Sequence, residues 1–121
     1  MSRDPLRVPD YLEHILQAIE RIRRYTGAMD EAGLRSSEMT QDAVIRNLEV
    51  IGEASRNVER HHPAFMTAHP ELPLAFAYEM RNALSHGYFK VDLGVVWKTL
   101  ESDLPVLYRQ VSALLQGGGL R

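Results

Sequence analysis

Leu12, Ile15, Leu16, Ile19 and Ile22 recur at spacings of three and four, which gathers them on one face of an α-helix. The pattern returns at Val44, Leu48, Ile51 and Val58, where Ile45 and Ala54 widen the stripe. It returns again at Leu74, Ala77, Tyr78, Met80 and Leu84, and along Val95, Val96, Leu100, Leu104, Leu107, Val111, Leu114 and Leu115. Nowhere does the chain alternate polar and apolar residues as a half-buried strand does, and it carries no internal repeat. A helix with one apolar stripe must bury it against another helix, so the expected fold class is all-α, an up-and-down bundle of four to five helices with short connections.

Punctuation residues set the expected boundaries. Asp10 is predicted to cap the first helix and Gly27 to end it. AMDEAGLR, residues 28–35, reads as a short helical turn, after which Ser36 or Ser37 caps a long helix to about Glu59. Pro63 disfavours helical geometry at His62 and breaks the pattern there. Pro73 suits the first position of a third helix, and Asp92 the cap of a fourth, in which Pro105 removes one backbone hydrogen bond and bends the axis. These marks divide the chain into an N-terminal extension (1–9), a helical domain (10–115) and a flexible tail (116–121).

Composition narrows the function classes. With 121 residues, 45% hydrophobic and 25% charged, the chain has the balance of one ordinary soluble domain. It has no cysteine, which removes disulfides, thiolate metal sites and cysteine nucleophiles together and fits a reducing cytoplasm. The N-terminus lacks an apolar signal region, and no apolar run approaches the ~20 residues that span a bilayer. A net charge of −2 makes attraction to nucleic acid a local property at most. Positive charge is nevertheless carried by twelve arginines against two lysines, and the planar guanidinium is the better fork for phosphate oxygens.

The densest polar cluster, RNALSHGY at residues 81–88, closes the third predicted helix. Arg81 and His86 are five residues apart, about 140° around a regular helix, and would not share a face. Gly87 changes this expectation, because a glycine ending the helix near Ser85 frees the imidazole to swing back toward the guanidinium. Such a pair suits phosphodiester chemistry: arginine holds the phosphate, and histidine, with an ordinary pKa near ~6.5, moves a proton at neutral pH. RNA cleavage needs one proton taken from the 2′-hydroxyl and one given to the 5′ oxygen. One histidine per chain performs one task at a time, which points to two copies of the motif facing each other in a homodimer.

RNALSHGY resembles the R-x4-H-x-Y motif of the HepT toxins, a branch of the all-helical HEPN superfamily, with Arg81, His86 and Tyr88 in its three defining positions. Asn82 fits the polar residue that usually follows the arginine. DAVIRNLEVIGEASRNV, residues 42–58, is similar to a second family signature, and VDLGVVWKTLESDLPVLYRQV to its closing helix, so the likeness runs over about residues 8–115. The resemblance implies a metal-independent endoribonuclease toxin that needs no cofactor, acting on RNA as a homodimer with Arg81 and His86 of both protomers in one cleft. It further implies an antitoxin partner, a minimal nucleotidyltransferase of the MntA type, which transfers AMP from ATP to Tyr88. The competing expectation is a non-catalytic helical module that docks such a nucleotidyltransferase, a reading that the net charge of −2 favours slightly.

Each of these residues also has a plainer reading. Alone, Arg81 reads as a surface ion pair, His86 as a favourable charge at a helix C-terminus and Tyr88 as a boundary residue. Arg46 and Glu53 lie seven apart on one face of the second long helix, where they serve as a solvated stripe or line the cleft or dimer seam, so Glu53 is a supporting candidate. Asn47 and Asn57 read as ordinary surface, His14 as surface or seam, and Trp97 as core. His61, His62 and His69 lack the spacing of a helix-borne metal site, and no metal is expected.

Overall fold

The computed structural model of the protein describes residues 6–72 and 92–117, and every described element is helical or a turn. In chain order the elements are α1 (Val8–Thr26), α2 (Glu31–Arg35), α3 (Glu38–His61), α4 (Pro63–Ala68), α5 (Leu93–Lys98), a π-helical turn (Thr99–Asp103) and α6 (Leu104–Gly117). The expected all-α architecture is therefore observed. The predicted third helix, which carries RNALSHGY, lies outside the described residues. It is bracketed by Leu72, buried in the core, and Asp92, the cap of α5.

Helix α1 starts earlier than expected. Its N-cap is Arg7, and Asp10 sits three residues inside, where its carboxylate accepts the Arg7 backbone N–H at 3.2 Å. Pro9 permits this because a first-turn proline lacks only an N–H that would have had no helical partner. At the other end Gly27 closes the helix as expected, returning its N–H to Arg23 O at 2.9 Å with φ +44°. Nothing lies nearer than 3.9 Å to the place of a Cβ at Gly27, so the cost of a side chain there is conformational rather than steric. Gly27→Ala is expected to destabilise the fold by about 1–3 kcal/mol in a urea titration, and an unchanged midpoint would contradict the strained assignment.

The next two helices are joined through side chains. The Asp30 carboxylate caps α2 by accepting from Gly33 N at 2.8 Å, and Ser37 caps α3 by accepting from Thr40 N at 3.3 Å. Gln41 donates from Nε2 to the carbonyls of Leu34 (2.8 Å) and Arg35 (3.0 Å), satisfying the open end of α2. The exposed Arg35–Glu31 pair, at 2.8 Å, contributes only a few tenths of a kcal/mol at this spacing. Beyond α3, His62 leaves helical geometry at φ −138°, as Pro63 requires, but the chain re-enters a helix at once with Pro63 in its first turn.

The core forms where α1 lies against α3, with α6 closing the side of α1. Leu12, Ile15, Ala18 and Ile19 of α1 and Val44 and Val58 of α3 are wholly buried, and Leu34, Leu72, Val96, Leu104, Leu107 and Val111 complete the cluster. Each fully buried aliphatic side chain contributes on the order of 1.5–3 kcal/mol of transfer free energy. Trp97 is half-buried and packs against this cluster rather than filling it. Asn47 corrects the surface expectation. It is buried, because position 47 falls between Val44 and Ile51 on the core stripe, and its Nδ2 is satisfied by the Ala43 carbonyl at 2.9 Å. Ser55 is buried in the same way and donates to Ile51 O at 2.7 Å.

Pro105 does not simply bend a continuous helix. The chain widens into the π-helical turn at Thr99–Asp103, where Leu104 N reaches back to Thr99 O, and α-helical geometry resumes with Pro105 in the first turn of α6. The wider turn removes the need for an N–H at Pro105 and relieves its ring against the preceding carbonyl. Tyr108 of α6 ties back to α1: its hydroxyl donates to Glu20 Oε2 at 2.8 Å while Arg23 stacks 4.2 Å from the ring centroid. The bond to Glu20 favours the neutral phenol and pushes its pKa above the ordinary tyrosine value. Any stabilisation from this bond is therefore present below about pH 10 and is lost as the pH rises through the folded-state value.

Candidate functional site

A groove of about 490 Å³ opens between the start of α1 and the middle of α3. Leu6, Tyr11 and His14 form one wall, and Arg46, Glu49, Val50, Glu53, Ala54 and Asn57 the other. The six α3 positions repeat the three-and-four spacing, so α3 carries a second stripe beside the core stripe. Its composition is mixed. Arg46 and Glu53 are exposed, Glu49, Val50 and Asn57 are half-buried, and Ala54 is buried.

The walls are held by short-range chemistry. His62 Nε2 lies 2.7 Å from the Leu6 carbonyl, and the Tyr11 hydroxyl accepts the Leu6 N–H at 3.2 Å, so the chain before α1 is fastened to the end of α3. Tyr11 stands edge-on to both His14 and His62, with ring centroids 6.5 and 6.1 Å away. These contacts give His62 a structural role and leave His14 on the groove. His69 Nδ1 instead pairs with Glu71 at 3.2 Å, and backbone hydrogen bonding together with this imidazole holds the Glu71 carboxyl below its usual pKa. Among the described residues no cluster of histidine and carboxylate side chains is placed to hold a metal ion, and no helix is long and apolar enough to cross a membrane.

Of the predicted site residues, Glu53 and Arg46 do share one face and line the groove together. Glu53 also engages a partner within its own chain. Arg81, Asn82, His86 and Tyr88 lie outside the described residues. Tyr11, His14 and Val50 are groove residues that the sequence reading did not assemble. The α3 stripe at 46, 49, 50, 53, 54 and 57 was visible as spacing, but its meeting with α1 joins residues more than thirty positions apart and leaves no local signal.

The chain matches the family model described as ribonuclease HepT-like over residues 15–114, a span that includes both the α3 stripe and RNALSHGY. It is 45% identical over 98 residues to a probable ribonuclease HepT of Thermococcus cleftensis, covering 81% of this chain and 86% of that protein. A putative RNase of Caldanaerobacter subterraneus subsp. tengcongensis is 37% identical over 107 residues, covering 88% of this chain and 92% of the relative. A gamma-glutamylcyclotransferase and putative RNase of Methanocaldococcus jannaschii is 38% identical over 106 residues, and there the match spans 88% of this chain but only 46% of the relative. No solved structure gives a significant match. With most of its length inside the family model, and with such relatives matched nearly end to end, this chain belongs to the ribonuclease HepT-like family.

Proposed function

We propose that the chain is an endoribonuclease, the toxin of a toxin and antitoxin pair, that cleaves RNA without a metal through Arg81 and His86 of two facing protomers. The observation that carries this reading is the family match running through RNALSHGY, where an arginine and a histidine with complementary tasks stand at the end of one apolar segment. Arg81 binds the scissile phosphate and offsets charge on its equatorial oxygens. His86 of one protomer takes the proton of the 2′-hydroxyl, whose oxygen attacks the adjacent phosphorus. The bond from phosphorus to the 5′ oxygen breaks, and His86 of the partner subunit protonates that oxygen. The products are a 2′,3′-cyclic phosphate and a 5′-hydroxyl. Asn82 and Glu53 support the pair, and the net charge of −2 leaves these arginines to supply the phosphate contact locally.

Neutralisation follows from Tyr88, two residues past the histidine. Its phenol oxygen attacks the α-phosphorus of ATP held by a minimal nucleotidyltransferase of the MntA type, and pyrophosphate leaves. The resulting adenylate puts bulk and negative charge where the RNA phosphate must sit, excluding substrate sterically and electrostatically. Expression of the chain alone should arrest growth, and co-expression with the transferase should restore it while adding one adenylate to the intact mass. The Tyr88→Phe variant should stay toxic and unmodified in the transferase's presence. Harmless expression of the unmodified chain together with a stable transferase complex would identify a docking module instead.

A further inference from the structure

The second stripe of α3 has a charge order that matches itself. Arg46 lies one helical turn before the Glu49 and Val50 pair, and Glu53 one turn after it. When two such helices cross antiparallel with the two-fold axis at residues 49 and 50, each Arg46 falls opposite the Glu53 of the other copy. Val50, apolar and half-buried, sits at the centre. A two-fold interface must be self-complementary in this way, residue i against j and j against i. Arg46 makes no ion pair among the described residues. Glu53 has a partner in its own chain, but a carboxylate has two oxygens and about four acceptor sites, enough for a guanidinium as well. Shifting the register to set Val50 against Glu53 would put an apolar side chain on a charge and leave Arg46 facing Asn57, so charge order selects the first arrangement.

We propose that the groove face of α3 is the seam between two copies of this chain, crossed antiparallel at Val50 with reciprocal Arg46 to Glu53 ion pairs. The inference rests on the dimeric reading given above and assigns its surface. Side chains of the second α3 enter the groove between Tyr11 and His14 on one side and Val50 and Ala54 on the other. The partner is a second copy of the chain rather than RNA, because the groove carries two carboxylates against one guanidinium and would repel phosphate.

The natural chain has no cysteine, so a single introduced thiol reports unambiguously. Helices packed at about 8–10 Å bring facing Cα atoms at the crossing within disulfide reach, about 4.4–6.8 Å. Full-length Val50→Cys should therefore form a covalent dimer on mild oxidation, whereas Ala113→Cys, exposed on α6, should not. In sedimentation, R46E and E53R alone should each weaken the homodimer by about tenfold or more, since each sets like charges opposite, and an equimolar mixture should recover tight association as a heterodimer. A dimer that persists in both variants, with Val50→Cys uncrosslinked, overturns the α3 seam while leaving the dimeric enzyme intact. A wild-type chain that sediments as a monomer at all concentrations overturns the seam and the dimeric reading together, and RNA cleavage by that monomer would show that only the two-copy feature of the proposed mechanism had failed.

Discussion

His86→Ala is expected to lower the rate of RNA cleavage by roughly 10²–10⁴-fold, the ordinary contribution of a positioned general acid or base. The loss should fall on kcat, because imidazole assists proton transfer only as the 2′-oxygen attacks and the 5′ oxygen leaves. Arg81→Ala should differ in kind. A guanidinium holds the phosphate in the ground state and gains strength as charge builds on the equatorial oxygens, so both KM and kcat should suffer. Arg81→Lys should restore charge without the two-point fork and recover only part of the activity. A His86→Ala protein cleaving at the wild-type rate would remove the histidine from the mechanism. Equal behaviour of Arg81→Lys and wild type would reduce the arginine to a point charge.

The largest effect on stability is expected at Ile15. It is wholly buried on α1 in a core formed mainly by the packing of α1 against α3. Ile15→Ala removes transfer free energy and leaves a cavity that flanking Leu12 and Ile19 can only partly close, so the expected loss is about 2–5 kcal/mol. A domain of this size has on the order of 5–15 kcal/mol in all, and the melting temperature should fall by roughly 8 °C or more. Glu13→Ala, exposed on the opposite face of α1, is the control and should stay within about 0.5 kcal/mol of wild type. Comparable losses in the two variants would mean that α1 does not present the Ile15 face to the core.

The fold was legible wherever its cause is local. The stripes of α1 and α3, the stop at Gly27 and the caps at Ser37 and Asp92 each follow from a few neighbouring residues, and the structure has all of them. Asp10 was misplaced because a carboxylate serves the open N–H groups of a first turn from the cap or from three residues inside, and Pro9 tolerates both. Asn47 was assigned to the surface by residue type, although its position between Val44 and Ile51 already marked it as inward-facing. The π-helical turn before Pro105 was foreseen only as a bend, since a proline states that one hydrogen bond is missing but not how the chain absorbs the loss.

The site divides along the same line. RNALSHGY announces its chemistry in sequence, because a glycine, a histidine and an arginine within seven residues constrain one another. The groove does not, because Tyr11 and His14 meet Val50 and Glu53 only through tertiary packing. What joins the two is the need for two copies. A single histidine per motif asks for a second protomer, and the charge order on α3 offers a face on which one fits.

The central claim is that this chain cleaves RNA with its own arginine and histidine. It is tested most directly by incubating purified, unmodified protein with end-labelled RNA in excess EDTA, beside His86→Ala prepared identically. The account predicts cleavage by the wild type with 2′,3′-cyclic phosphate and 5′-hydroxyl ends, and loss of that cleavage in the variant. Cleavage that vanishes in EDTA and returns with a divalent cation, or that survives in His86→Ala, would contradict it.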